Sequence, residues 1–160
     1  MNFEELKYKI SSEKSEGKLI ALILELGDYK TEESKNFLMS SLSTINSFVR
    51  DAIVISLVRI GDVQFLCSNI SHEHRYVRRG IVQALGEIGG EVACLHLVQS
   101  LGDQEWGVRM YAAESLGKVG SDRDISDLRN LLDDEHEWPR EVARQSLNKL
   151  SDNSSGKSYH

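Results

Sequence analysis

FVRDAIVISLVRIGD from Phe48, YVRRGIVQALGEIGG from Tyr76, GVRMYAAESLGKVGS from Gly107 and WPREVARQSLNKLSD from Trp138 align without a gap. Each carries an arginine at its third place: Arg50, Arg78, Arg109 and Arg140. A leucine follows seven residues later, as Leu57, Leu85, Leu116 and Leu147. Glycine closes three of them, Gly61, Gly89 and Gly120, and Ser151 closes the fourth. A more divergent copy lies upstream, where ILELGD from Ile23 matches LVRIGD from Leu57.

A second series precedes each segment. Leu38, Leu66, Leu97 and Leu128 each stand 23 residues before the closing Gly or Ser. The distance from one closing residue to the next unit's leucine varies instead, at 11, 5, 8 and 8 residues. A rigid two-element unit joined by variable linkers is the pattern of a solenoid.

The elements read as helices. Val77, Ile81, Ala84, Leu85 and Ile88 follow the i, i+4, i+7, i+8, i+11 spacing of one helix face. The closing glycines suit the left-handed position just past a helix end. Pro139 falls in a first turn, where its missing N–H costs nothing. Asp103 and Asp134 fall close to the expected N-caps. The spacing predicts helix pairs at about 2–12 with 15–26, 31–43 with 47–60, 63–70 with 74–88, 91–101 with 105–119, and 122–132 with 137–150. The expected fold is all-α, one domain over 1–151, with repeats at 1–28, 29–61, 62–89, 90–120 and 121–151. The polar stretch 152–160 reads as a flexible tail.

Composition narrows the function classes. The chain has 160 residues, with 19 Lys and Arg against 25 Asp and Glu, a net charge of −6. That balance opposes a broad nucleic-acid-binding surface. Two cysteines, Cys67 and Cys94, form no disulfide framework. No apolar run approaches a membrane span and no secretory leader is recognisable, so a cytoplasmic protein is expected. A single proline among 160 residues suits a helical chain.

The pattern D-x5-R-x3-A-x3-L-G-x2-G, best seen in DQEWGVRMYAAESLGKVG from Asp103 to Gly120, resembles HEAT repeats. The short period of about 31 residues resembles the subtype found in phycobilin lyases. The resemblance covers roughly 15–151. It implies a right-handed α-solenoid of about five helix pairs, with the second helix of each pair lining the concave face. It also implies an Asp–Arg ladder between neighbouring repeats. The chain departs from the pattern at Thr44 and His72, where the acid belongs, and at Glu16, where an arginine belongs. The ladder is therefore short of acids in the N-terminal half.

On the second helices, three rows lie opposite the buried stripe at 100° per residue. They are Asp51, Arg79, Met110 and Glu141; Ile55, Gln83, Glu114 and Gln145; and Val58, Gly86, Gly117 and Asn148. In the implied layout they pave the concave surface. An aromatic row, Phe48, Tyr76, Trp106 and Trp138, marks one rim. The candidate partner-binding set is Arg75, Tyr76, Arg79, Gln83, Trp106, Met110, Glu114, Trp138 and Glu141. The repeat arginines, leucines and glycines read as structural. His72, His74, Arg75, Arg78 and Arg79 form a local basic patch, and Asp133, Asp134, Glu135 and Glu137 an acidic run.

No catalytic, metal or cofactor site is expected. His72-Glu73 and His136-Glu137 are His–Glu pairs, as in the di-iron HEAT enzyme deoxyhypusine hydroxylase. There the pair follows the repeat arginine, where this chain has Arg79, Met110 and Glu141. The sequence reading is a non-enzymatic, monomeric protein-interaction module (scaffold or adaptor) whose partner is another protein. Three alternatives stand beside it: an immunity protein masking a basic enzyme, a phycobilin lyase subunit or chromophore-protein chaperone, and a nucleic-acid binder.

Overall fold

A computed structural model describes residues 1–44 and 46–155. Ten α-helices follow one another among them: α1 (Phe3–Ser12), α2 (Glu16–Leu26), α3 (Glu32–Ser41), α4 (Ser47–Ile60), α5 (Val63–Ser68), α6 (Arg75–Ile88), α7 (Glu91–Ser100), α8 (Trp106–Val119), α9 (Ile125–Asn130) and α10 (Glu137–Ser155). They pair as the spacing predicts, in a helical solenoid. The expected helix over 122–132 is broken into α9 and two flanking 3-10 turns, Asp122–Asp124 and Leu131–Asp133.

Local chemistry sets the ends. Asn2 accepts the Glu5 N–H at 2.9 Å while the Glu5 carboxylate accepts the Asn2 N–H at 3.2 Å, a reciprocal cap on α1. Asn46 caps α4 through the Val49 N–H at 3.1 Å, and Asp62 caps α5 through Phe65 at 3.0 Å. Gly61 ends α4 in the left-handed region, at φ 71°. Gly120 departs from that expectation, with an extended φ of −72°. Glycine fits there for another reason: a Cβ would lie 2.4 Å from the Leu116 carbonyl oxygen. Ser151 has no such effect, and α10 runs on to Ser155. The first residues of the stretch read as a tail are thus helical, and 156–160 lie outside the described residues.

The core sits between two layers. The first-helix leucines Leu38, Leu66, Leu97 and Leu128 and the second-helix leucines Leu57, Leu85 and Leu116 are all buried. Leu147 is only half-buried, because no described helix packs beyond α10 to cover it. The even-numbered helices pack each on the next along the stack, and the odd-numbered ones lie over them.

Small residues set the even-helix spacing. A Cβ on Gly86 would lie 2.2 Å from Ser115 Oγ, and one on Gly117 would lie 2.4 Å from Ser146 Oγ. Gly86 and Gly117 are therefore buried between helices and do not pave a surface, contrary to the row pattern. At the α4–α6 joint the matching positions hold Val58 and Ala84. This joint is the least extensive between successive even helices. The even-numbered helices are thus the more closely packed layer of the stack.

Candidate partner-binding surface

The four repeat arginines do one job in common. Each donates from Nη1 to the carbonyl six residues earlier: Arg50 to Thr44 at 2.7 Å, Arg78 to His72 at 2.9 Å, Arg109 to Asp103 at 2.8 Å and Arg140 to Asp134 at 2.6 Å. Each thereby ties its own helix to the loop that enters it. The side chain at the carbonyl position accepts the N–H two residues on. Thr44 Oγ1, His72 Nδ1, Asp103 Oδ1 and Asp134 Oδ1 all do so, at 3.4, 3.0, 2.8 and 2.8 Å. Thr and His can stand where Asp belongs because each offers one acceptor.

Only the carboxylates do a second job. Arg78 binds Asp103 through Nε and Nη2 at 2.7 and 2.9 Å, and Arg109 binds Asp134 likewise at 2.6 and 2.8 Å. These bidentate pairs cross the unit boundaries. The Asp103 bond holds the Arg78 guanidinium above its ordinary pKa, and the Asp134 bond does the same for Arg109. Arg50 has no acid partner among the described residues, because His72 stands in the acid's place. Its guanidinium carbon lies 4.3 Å from the Tyr76 ring centroid instead.

The basic patch is tied down by contacts within the chain. Arg78 is taken by Asp103, and Arg75 lies 3.8 Å from Glu105. Arg79 lies over the Tyr111 ring at 4.2 Å and donates to its hydroxyl at 2.5 Å. The Nδ1 atoms of His72 and His74 accept backbone N–H bonds. The side chains of the basic patch are thus held by contacts within the chain.

Two concavities gather the candidate residues. Arg75, Tyr76, Arg79 and Trp106 line a rim cavity of about 170 Å³ together with Glu105. Trp106 also meets His136 of the next unit, with ring centroids 5.9 Å apart. A larger cavity of about 320 Å³ lies on the even-helix face, lined by Asp51, Val54, Ile55 and Val58 of α4, Gln83 and Glu87 of α6, and Tyr111, Glu114, Ser115 and Lys118 of α8. Ile55, in its lining, is 51% exposed. Lys118 reaches Glu87 at 2.9 Å and Glu114 at 3.3 Å. The Glu87 bond is the main cause that holds its ammonium above the ordinary value.

Met110, Trp138 and Glu141 line neither cavity. Trp138 is 64% exposed, and Glu141 is engaged by Arg144 and Gln145. The candidate list omitted Tyr111, Glu87 and Lys118. Glu87 and Lys118 could have been found as opposite charges one repeat period apart.

The remaining chemistry-bearing groups converge on nothing. Burial pushes both thiols up, Cys94 further helped by Asp124 and Glu91, which disfavours the nucleophilic thiolate. No cluster of potential metal ligands occurs among the described residues. No helix among them is long and apolar enough to cross a membrane.

Comparison with known proteins agrees with the geometry. A family model for HEAT repeats matches residues 63–148. Among solved structures, a chain in the complex of CpcE and CpcF of phycocyanin lyase from Nostoc sp. PCC7120 is similar, with a TM-score of 0.59 at 16% identity. The match covers 94% of this chain and 66% of that one, so this chain spans about two thirds of its length. No curated protein matches the sequence.

Proposed function

This chain belongs to the HEAT-repeat family, and from that membership we propose that it is a non-enzymatic module holding a partner protein on its even-helix face and the adjoining rim. The fold is of the protein-interaction type, built to offer an extended concave surface. The observation that carries the reading is the cavity shared by α4, α6 and α8, with Ile55 half-exposed in its lining. An apolar side chain left open between three helices, ringed by polar groups, suits an interface anchor. The rim cavity beside it adds Tyr76 and Trp106, residue types favoured as binding anchors.

The test is differential capture. Tagged wild type, an Ile55→Glu, Gln83→Arg double variant, and a Leu95→Glu control are used to recover proteins for mass spectrometry. Leu95 lies on α7, in the opposite layer, and is exposed. A partner retained by wild type and control but lost by the double variant supports the module. Equal recovery by all three overturns it.

A second reading rests on the solved neighbour, which is part of a two-protein phycocyanin lyase complex. In that reading this chain is one subunit of such a pair and assists transfer of a bilin. Mixing with a free bilin should then shift its visible absorbance, and an unchanged spectrum removes this reading.

A further inference from the structure

We infer that the α4–α6–α8 cavity is a subsite for a lysine or arginine side chain presented by a basic segment of the partner. This rests on the partner-binding reading above and adds the chemistry of the occupant. Part of the lining is aliphatic, from Val54, Ile55 and Val58. The lining also carries three carboxylates, Asp51, Glu87 and Glu114, against one ammonium, Lys118, with the Arg79 guanidinium held nearby on the Tyr111 ring. Lys118 is shared between Glu87 and Glu114. Asp51, on the α4 side of the lining, is exposed and has no ion-pair partner among the described residues.

Two requirements follow from that lining. The aliphatic part of the lining favours a hydrocarbon stem, and the unpaired acid favours a positive tip. Lysine and arginine carry both on one side chain, an aliphatic stem with a charged end. An acidic side chain would meet like charge, and a purely apolar one would leave Asp51 facing a dry surface. The opening itself comes from the fold. Val58 stands where Gly86 and Gly117 meet a serine at the next two joints, so α4 and α6 lack that close glycine contact beside the cavity.

The test is a titration of the isotopically labelled full chain, followed by amide chemical shifts at low salt. The probe is an acetylated, amidated hexapeptide Gly-Leu-Arg-Gly-Arg-Gly. Its controls replace both arginines by citrulline, which keeps the stem and removes the charge, or by glutamate. The arginine peptide should give saturable shifts at Ile55, Gln83 and Glu114. It should bind about tenfold more tightly than the citrulline peptide, and the glutamate peptide should not bind. Asp51→Asn should weaken the arginine peptide severalfold. Lys118→Gln should tighten it severalfold, a gain that a folding defect cannot mimic.

Equal binding of the arginine and citrulline peptides, shifts confined to another face, or no tightening by Lys118→Gln overturns the subsite. The module reading is judged separately. If the Ile55→Glu, Gln83→Arg variant still loses its captured partner, the even-helix face binds a segment of different chemistry and only the subsite falls.

Discussion

Arg109 binds Asp134 across the boundary between the fourth and fifth helix pairs through two parallel hydrogen bonds of 2.6 and 2.8 Å. Both side chains are largely buried, 9% and 5% exposed. Removing one partner leaves the other charged and desolvated. Arg109→Ala is expected to cost about 3 kcal/mol in chemical denaturation. Arg109→Lys should recover only part of that loss, since an ammonium cannot form the paired fork.

The glycine contacts give a steric test. Gly86→Ala should destabilise by about 1–3 kcal/mol, because its methyl would overlap Ser115. Adding Ser115→Gly should relieve much of the clash, a coupling that a double-mutant cycle reads directly. Gly17, helical in α2 and with nothing within 4 Å of its Cβ position, is the control. Gly17→Ala should stabilise by up to about 1 kcal/mol.

Acid should weaken the boundaries between units. Burial pushes the Asp134 carboxyl up, but bonds from Arg109 and the His136 N–H, with the Arg109 charge, bring it below its ordinary 3.8. The Lys35 bond, followed by the Phe65 N–H, lowers Asp62 as well. A carboxyl depressed on folding contributes its stability above the unfolded pKa and loses it as pH falls through the folded one. The melting temperature should therefore drop from about pH 4 toward pH 2. Asp134→Asn should start lower at neutral pH and fall less over that window.

The missing rung can be supplied. His72 accepts the His74 N–H much as Asp103 accepts that of Glu105, at 3.0 against 2.8 Å. His72→Asp keeps that bond and places a carboxylate in reach of Arg50. We expect a gain of about 1 kcal/mol, read by denaturation. The gain should vanish when Arg50→Ala is combined with it.

The helix pairs and the two salt-bridged rungs could be read from the sequence, because both depend on spacing. Arg78 and Asp103 are 25 residues apart, as are Arg109 and Asp134. The cavity could not. It goes with Val58 standing where Gly86 and Gly117 meet a serine of the next helix. The contact that a glycine makes there belongs to two helices and is invisible in one repeat alone. The same limit hid the engagement of Arg79 by Tyr111. Trp138 was chosen for its residue type, but its ring lies outside both concavities.

The two glycine-closed joints and the open joint between α4 and α6 make the molecule mechanically uneven. Helices α6, α8 and α10 are locked by glycine contacts and two bidentate bridges and should behave as one stiff lever. The α1–α4 half meets it through a softer pivot, where Arg50 rests on a ring in place of a carboxylate. Native-state hydrogen exchange should show α1–α4 opening more readily than α6–α10. The cavity straddles that pivot, so a few degrees of flexing there would widen or pinch it. An occupant would act as a wedge, setting the curvature of the stack while being held by it.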